Sequence, residues 1–156
     1  MQQNFIMSKI RITKQFSFET AHALYGYDGK CKNIHGHGYK LDVTVIGTPI
    51  DDASNPKFGM VIDFSDLKKI VNNQIVDIFD HSLILNKNTP HESLAQDLIN
   101  NDHKVILVDY QPSSENMVID FAKRIISQLP DEVKLFSLRL QETDTSFAEW
   151  HASDNI

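Results

Sequence analysis

The sequence contains a single cysteine, Cys31, which excludes an internal disulfide framework and suits a reducing compartment. It has few chain breakers, 6 Gly and 5 Pro in 156 residues, so collagen-like and Pro/Gly-rich low-complexity classes are out. No apolar run approaches the ~20 residues that a membrane-crossing helix needs. Met1 to Lys9 lack the apolar stretch of a secretory signal. Positive charge is in the minority, with 15 Lys and Arg against 21 Asp and Glu and a formal net charge of -6. A nucleic-acid binder working through a basic face is therefore not expected. The absences together predict a cytoplasmic protein with neither a membrane nor a nucleic acid as partner.

What remains is an ordinary globular balance, 41% hydrophobic and 23% charged. A chain of this length suits one domain and buries roughly 70% of the surface its unfolded form exposes. No repeat or composition break marks a linker. The expected organisation is an N-terminal extension over 1–9, with Met7 as an alternative start, and a single domain over 10–156.

Period-two alternation predicts a strand over Ile10 to Glu19, with Ile10, Ile12, Phe16 and Phe18 on one face. A loop with Gly26, Asp28 and Gly29 leads to a second strand over Tyr39 to Ile46, with Leu41, Val43 and Val45 inward. The pair is expected to be antiparallel. Asp63 caps a helix whose stripe is Phe64, Leu67, Ile70, Val71, Ile75 and Ile78. From Thr89-Pro90 to about Asn101 the chain reads as irregular or weakly helical. Val105 to Val108 is a short buried strand. Pro112-Ser113-Ser114 opens a second helix carrying Val118, Phe121, Ala122, Ile125 and Leu129, and a last strand sets Phe136, Leu138 and Leu140 against Ser137, Arg139 and Gln141. A short strand follows near Phe147 to Trp150. This order predicts an α+β fold, a mostly antiparallel sheet with two helices on one face. Its open edges invite oligomerisation.

His35-Gly36-His37 puts two imidazoles on one face of a strand, in the parity of Tyr39, Leu41, Val43 and Val45. His22 shares the parity of Phe16 and Phe18 if the first strand runs that far. Three histidines converging at one end of a hairpin match a catalytic zinc site, which takes three protein ligands and keeps one position open. Gly36 and Gly38 leave room for an approaching ligand. His91, His103 and His151 have no such company and read as incidental. Cys31 precedes His35 by four positions, between Lys30 and Lys32. A lone free cysteine is most often a small buried hydrophobe; cations beside a thiol instead favour its thiolate. Asp80-His81 ends the first helix, where an Asp can orient an imidazole for acid–base work or the imidazole can simply meet the helix dipole. Glu142 continues an apolar stripe, a costly place for an acid without a partner such as a guanidine-like ligand edge.

Taken together these residues resemble the 6-pyruvoyl-tetrahydropterin synthase superfamily. The matching stretches are Phe16-Ser17-Phe18-Glu19-Thr20-Ala21-His22, Cys31-Lys32-Asn33-Ile34-His35-Gly36-His37, Gly59-Met60-Val61-Ile62-Asp63-Phe64, Phe79-Asp80-His81, Pro112-Ser113-Ser114-Glu115-Asn116 and Glu142-Thr143. They run in family order over about residues 16 to 150. The resemblance implies zinc bound by His22, His35 and His37, with Cys31 as proton acceptor and Asp80 and His81 as the rest of a relay. It also implies that Glu142 anchors the amino-pyrimidine edge of a pterin, with Ser113 and Ser114 against the ring. The fold implied is the tunnelling fold, in which subunits join their sheets into a barrel with active sites between them, a trimer-based homo-oligomer extending to a hexamer. Three residues between Cys31 and the His-Gly-His, and Lys rather than Glu at position 32, resemble the 6-carboxytetrahydropterin synthase branch. The substrate implied is 7,8-dihydroneopterin triphosphate, in queuosine biosynthesis, with Lys30, Lys32 and Lys87 as candidate cations for its triphosphate. Alternatives left open are the pyruvoyl synthase, which keeps the three-carbon side chain, and a non-catalytic zinc-binding module.

Overall fold

The computed structural model describes residues 8–156; Met7 and most of the expected 1–9 extension lie outside the described residues. Six strands form one mixed sheet in the order β4-β3-β1-β2-β5-β6. The long hairpin of β1 (Ile10–His22) and β2 (His35–Gly47) is antiparallel and in register from Ile10 opposite Gly47 to His22 opposite His35. β5 (Lys134–Thr143) lies antiparallel on β2, and β6 (Ser146–His151) antiparallel on β5. This antiparallel part, with helices on one face, is the layer that the alternation predicts.

Both long helices begin where capping chemistry puts them. Asp63 accepts the backbone N–H of Ser65 at 2.7 Å ahead of α1 (Phe64–Val71), and Ser113 accepts that of Asn116 ahead of α4 (Ser114–Ile126). A π-type stretch, Asn72–Val76, carries α1 into a last turn, α2 (Asp77–Phe79). The helices press Leu67, Val71, Ile75, Phe79, Met117, Val118, Phe121 and Ile125 onto Phe18, Tyr39, Leu41, Val43, Leu138 and Leu140. Phe64, expected in the α1 stripe, is instead exposed at the helix start.

Three features depart from the sequence expectation. A strand, β3 (Ser82–Asn86), and a third helix, α3 (His91–Asn100), occupy the segment read as irregular or weakly helical and the residues before it. β3 runs parallel to the end of β1, and β4 (Val105–Val108) parallel to β3, so α3 is the crossover that a parallel connection requires. α3 packs on the opposite face, where Ala95 meets Leu83 and Leu85, while Ile84 points into the main core. Two helices therefore cover one face and a third covers the other. Finally, a bulge makes Val45 pair with Leu135 and Thr44 with Ser137, skipping Phe136. Leu135 takes the core position in its place, and the Phe136 ring lies under the guanidinium of Arg11, 3.9 Å from its centroid.

Candidate metal centre and its acid–base neighbours

β1 does extend to His22, so the last residue of β1 faces the first of β2, His35, and His37 faces Thr20 two residue pairs away. The ligand atoms of His22, His35 and His37 all lie within 4.8 Å of one another. His22 Nδ1 meets the Pro112 carbonyl at 2.6 Å, and His35 Nδ1 meets the Asn33 carbonyl at 2.7 Å. A carbonyl oxygen only accepts, so each Nδ1 carries the proton and each neutral ring keeps its Nε2 lone pair. Those two Nε2 atoms are 3.0 Å apart. His37 Nε2 is buried without a hydrogen-bond partner. Two converging lone pairs beside an orphaned third ring nitrogen are what a bound cation would satisfy, and three imidazoles fit a metal ion.

The electrostatics agree. Burial pushes the His22 imidazole below its ordinary range, against the opposing Pro112 hydrogen bond. Burial also pushes His37 down, against the opposing charge of Glu142. Both rings are thus held in the neutral form that ligates metal. Tyr39 lies beneath them, fully buried, edge-on to the His22 and His37 rings. Burial, then the Glu142 charge, raises its hydroxyl far above the usual tyrosine range.

Beside the histidines opens a cleft of about 200 Å³ lined by His22, Cys31, Ser113, Ser114, Glu142 and Phe147. Cys31 is half-buried, on a loop tied back to the end of β1 by the Leu24 N–H on the Cys31 carbonyl at 3.0 Å. Glu142 stands at a second irregularity of β5. Its Oε2 accepts the Ser114 hydroxyl, and its Oε1 is 3.5 Å from His37 Nε2. Ser114 therefore supplies the partner that the half-buried acid needed. Ser113, lining the same cleft, uses its hydroxyl to cap α4.

Asp80 and His81 form the expected pair, Oδ1 to Nδ1 at 3.0 Å. Asp80 Oδ1 also accepts the Glu19 N–H at 2.9 Å, and that bond, followed by His81, holds its carboxyl below the usual range. His81 is exposed and lines a different cleft, about 310 Å³, with Glu19, Gly36, His37 and Gly38. The structure brings Cys31, Glu142, Ser113 and Ser114 to one cleft with His22, while His81 shares the second cleft with His37 and does not line the first. Lys30, Lys32 and Lys87 are exposed. The Pro112 and Asn33 carbonyls were missed in the sequence reading, since a backbone group that fixes a tautomer leaves no mark in residue type.

A family model described as 6-pyruvoyl tetrahydropterin synthase matches residues 11–153. The chain is 41% identical over 143 residues to a 6-carboxy-5,6,7,8-tetrahydropterin synthase of Haemophilus influenzae, covering 90% of this chain and 97% of that one. A synthase of the same name from Rickettsia typhi is 32% identical, over 90% of this chain and 99% of its own. Among solved structures, the 6-pyruvoyl tetrahydropterin synthase of Caenorhabditis elegans superposes with a TM-score of 0.66 at 25% identity, covering 95% of this chain and 99% of that one. An uncharacterized protein of Wolinella succinogenes shares the fold with a TM-score of 0.76 at 19% identity, over 93% of this chain and 99% of its own. The chain belongs to the 6-pyruvoyl tetrahydropterin synthase family.

Proposed function

We propose that this chain is a zinc-dependent lyase that converts 7,8-dihydroneopterin triphosphate, with water, into 6-carboxy-5,6,7,8-tetrahydropterin, acetaldehyde and triphosphate, in the supply of queuosine. The observation that carries this reading is the convergence of the His22, His35 and His37 ring nitrogens beside a cleft holding one thiol and one paired carboxylate, in a chain 41% identical to a carboxy-branch synthase.

His22, His35 and His37 hold the zinc, which supplies Lewis acidity at the substrate's side-chain oxygens when bound. Glu142, oriented by Ser114, receives the amino-pyrimidine edge of the pterin through paired hydrogen bonds. Ser113 and Ser114 flank the ring. Cys31, across the cleft, takes a proton from the side-chain carbon or hydroxyl. Asp80 steers His81, which returns or accepts a proton on the other side. Because His81 opens on a cleft that Cys31 does not line, we read the pair as serving a neighbouring subunit's site in a trimer-based homo-oligomer, trimer or hexamer. No described helix is long and apolar enough to cross a membrane, in keeping with work on a small cytoplasmic metabolite.

Incubation of the purified chain with dihydroneopterin triphosphate, read by mass spectrometry, tests the reading. Carboxytetrahydropterin with released acetaldehyde is expected. A product that keeps the three-carbon side chain assigns the pyruvoyl reaction instead, and no product alongside no pterin binding reduces the chain to a metal-binding module.

A further inference from the structure

The corner carrying His81 is held in a conformation uncommon for a residue with a side chain. Asp80 leaves α2 extended, with φ -62 and ψ 130, and His81 follows at φ 56. A non-glycine residue keeps this left-handed backbone only where its surroundings enforce it. Part of the enforcement comes from β1. The His81 N–H donates to the Glu19 carbonyl at 2.6 Å, and the Glu19 N–H returns to Asp80 Oδ1.

The rest comes from Lys104. Its ammonium donates to the Asp77 carbonyl at 3.0 Å and to the Asp80 carbonyl at 2.8 Å. These oxygens lie at the C-terminal end of α2, where no further helical N–H is available and positive charge is favoured. Lys104 is itself anchored: its carbonyl accepts the Leu83 N–H at 3.0 Å, where β3 and β4 begin to pair. One side chain therefore ties the helix end and the residue before His81 to the edge of the sheet.

We infer that Lys104 is a positioning residue for the Asp80–His81 pair, holding the left-handed corner so that the imidazole is presented to solvent and substrate in one orientation. The inference rests on the proposed role of His81, but its structural half can be read without turnover. Without the ammonium, the helix-end carbonyls turn to water and the corner relaxes, while the metal centre and the pterin-anchoring carboxylate are untouched.

The test uses the full chain, loaded with metal, as Lys104→Met, which keeps the apolar stem, and Lys104→Arg, which keeps charge and donors. Lys104→Met is expected to lower kcat about tenfold at unchanged KM and metal content; Lys104→Arg recovers most of it. Amide exchange at His81 should speed up in Lys104→Met, and in a His81→Ala background the same substitution should leave the residual kcat unaltered. An equal loss of kcat in that background, or wild-type exchange at His81 in Lys104→Met, overturns the assignment. If Lys104→Met does not fold, Lys104→Gln must show the same split on a smaller scale, and parity with the wild type overturns it. A wild-type chain that does not process dihydroneopterin triphosphate refutes the proposed function, while the exchange measurement still decides the role of Lys104.

Discussion

His22 and His35 face each other across the closing rung of the β1–β2 hairpin, Nε2 to Nε2 at 3.0 Å, with both Nδ1 atoms already engaged by carbonyl oxygens. Two acceptors so placed repel unless a cation lies between them. Burial lowers the proton affinity of His22, so a metal ion would suit this place better than a proton.

Removing His37 should therefore remove the metal. His37→Ala is expected to purify with metal content well below one ion per chain, measured by elemental analysis, and to lose the rise in melting temperature that added zinc gives the wild type. Full occupancy in that variant would exclude His37 as a ligand.

Cys31 lines the cleft without touching the convergent nitrogens. Cys31→Ala should keep its metal and its pterin affinity and lose roughly 10²–10⁴-fold in turnover, the usual worth of one proton-transfer group. Retained turnover, or lost metal, in a folded Cys31→Ala protein would contradict its role.

Glu142 and Ser114 act through one hydrogen bond, so their substitutions should not add. Glu142→Gln is expected to raise KM for the pterin by about tenfold or more, and Ser114→Ala by a few-fold, from the loss of bonds to a charged acceptor. In the Glu142→Gln background Ser114→Ala should add little. Independent, additive effects would mean that Ser114 meets the pterin directly.

The pH dependence of the metal-free protein follows from His22 and His37, both held down by burial. As pH falls through about 6.5, the unfolded chain takes up protons on these rings that the folded chain does not. The unfolded state then binds more protons, so stability is complete above that value and declines below it. Asp80, depressed chiefly by the Glu19 N–H, adds a further decline through the carboxylate range. Melting temperature of the stripped protein should be flat above neutrality and fall on acidification, and a variant with both His22→Gln and His37→Gln should fall less. A melting temperature that rises toward pH 5.5 would refute this assignment.

Much of this was legible because strand parity is a local rule. Phe16, Phe18 and His22 share a face with each other, and His35 and His37 share one with Tyr39 and Leu41, whatever the rest of the chain does. The cap at Asp63 and the opening of a helix at Pro112-Ser113-Ser114 were legible because they too are local signals. Where parity failed, a non-local event intervened: the bulge that turns Phe136 out and seats Leu135 depends on pairing with Thr44 and Val45, far earlier in the chain on β2. β3 escaped notice because Leu83 and Leu85 face one core and Ile84 the other, whereas the α3 stretch was legible only as irregular or weakly helical. A strand buried on both faces has no alternation to read.

The residue pattern alone determined which side chains could ligate, since i and i+2 on a strand must share a face and an antiparallel partner must return beside it. Tertiary structure alone decided that the Pro112 and Asn33 carbonyls fix the two tautomers, that Ser114 pairs with Glu142, and that His81 opens away from Cys31. Those outcomes depend on how α4, the loop after β1 and the corner after α2 are brought against the hairpin. Their directions are set by long-range packing and backbone hydrogen bonds, which residue identity does not encode position by position.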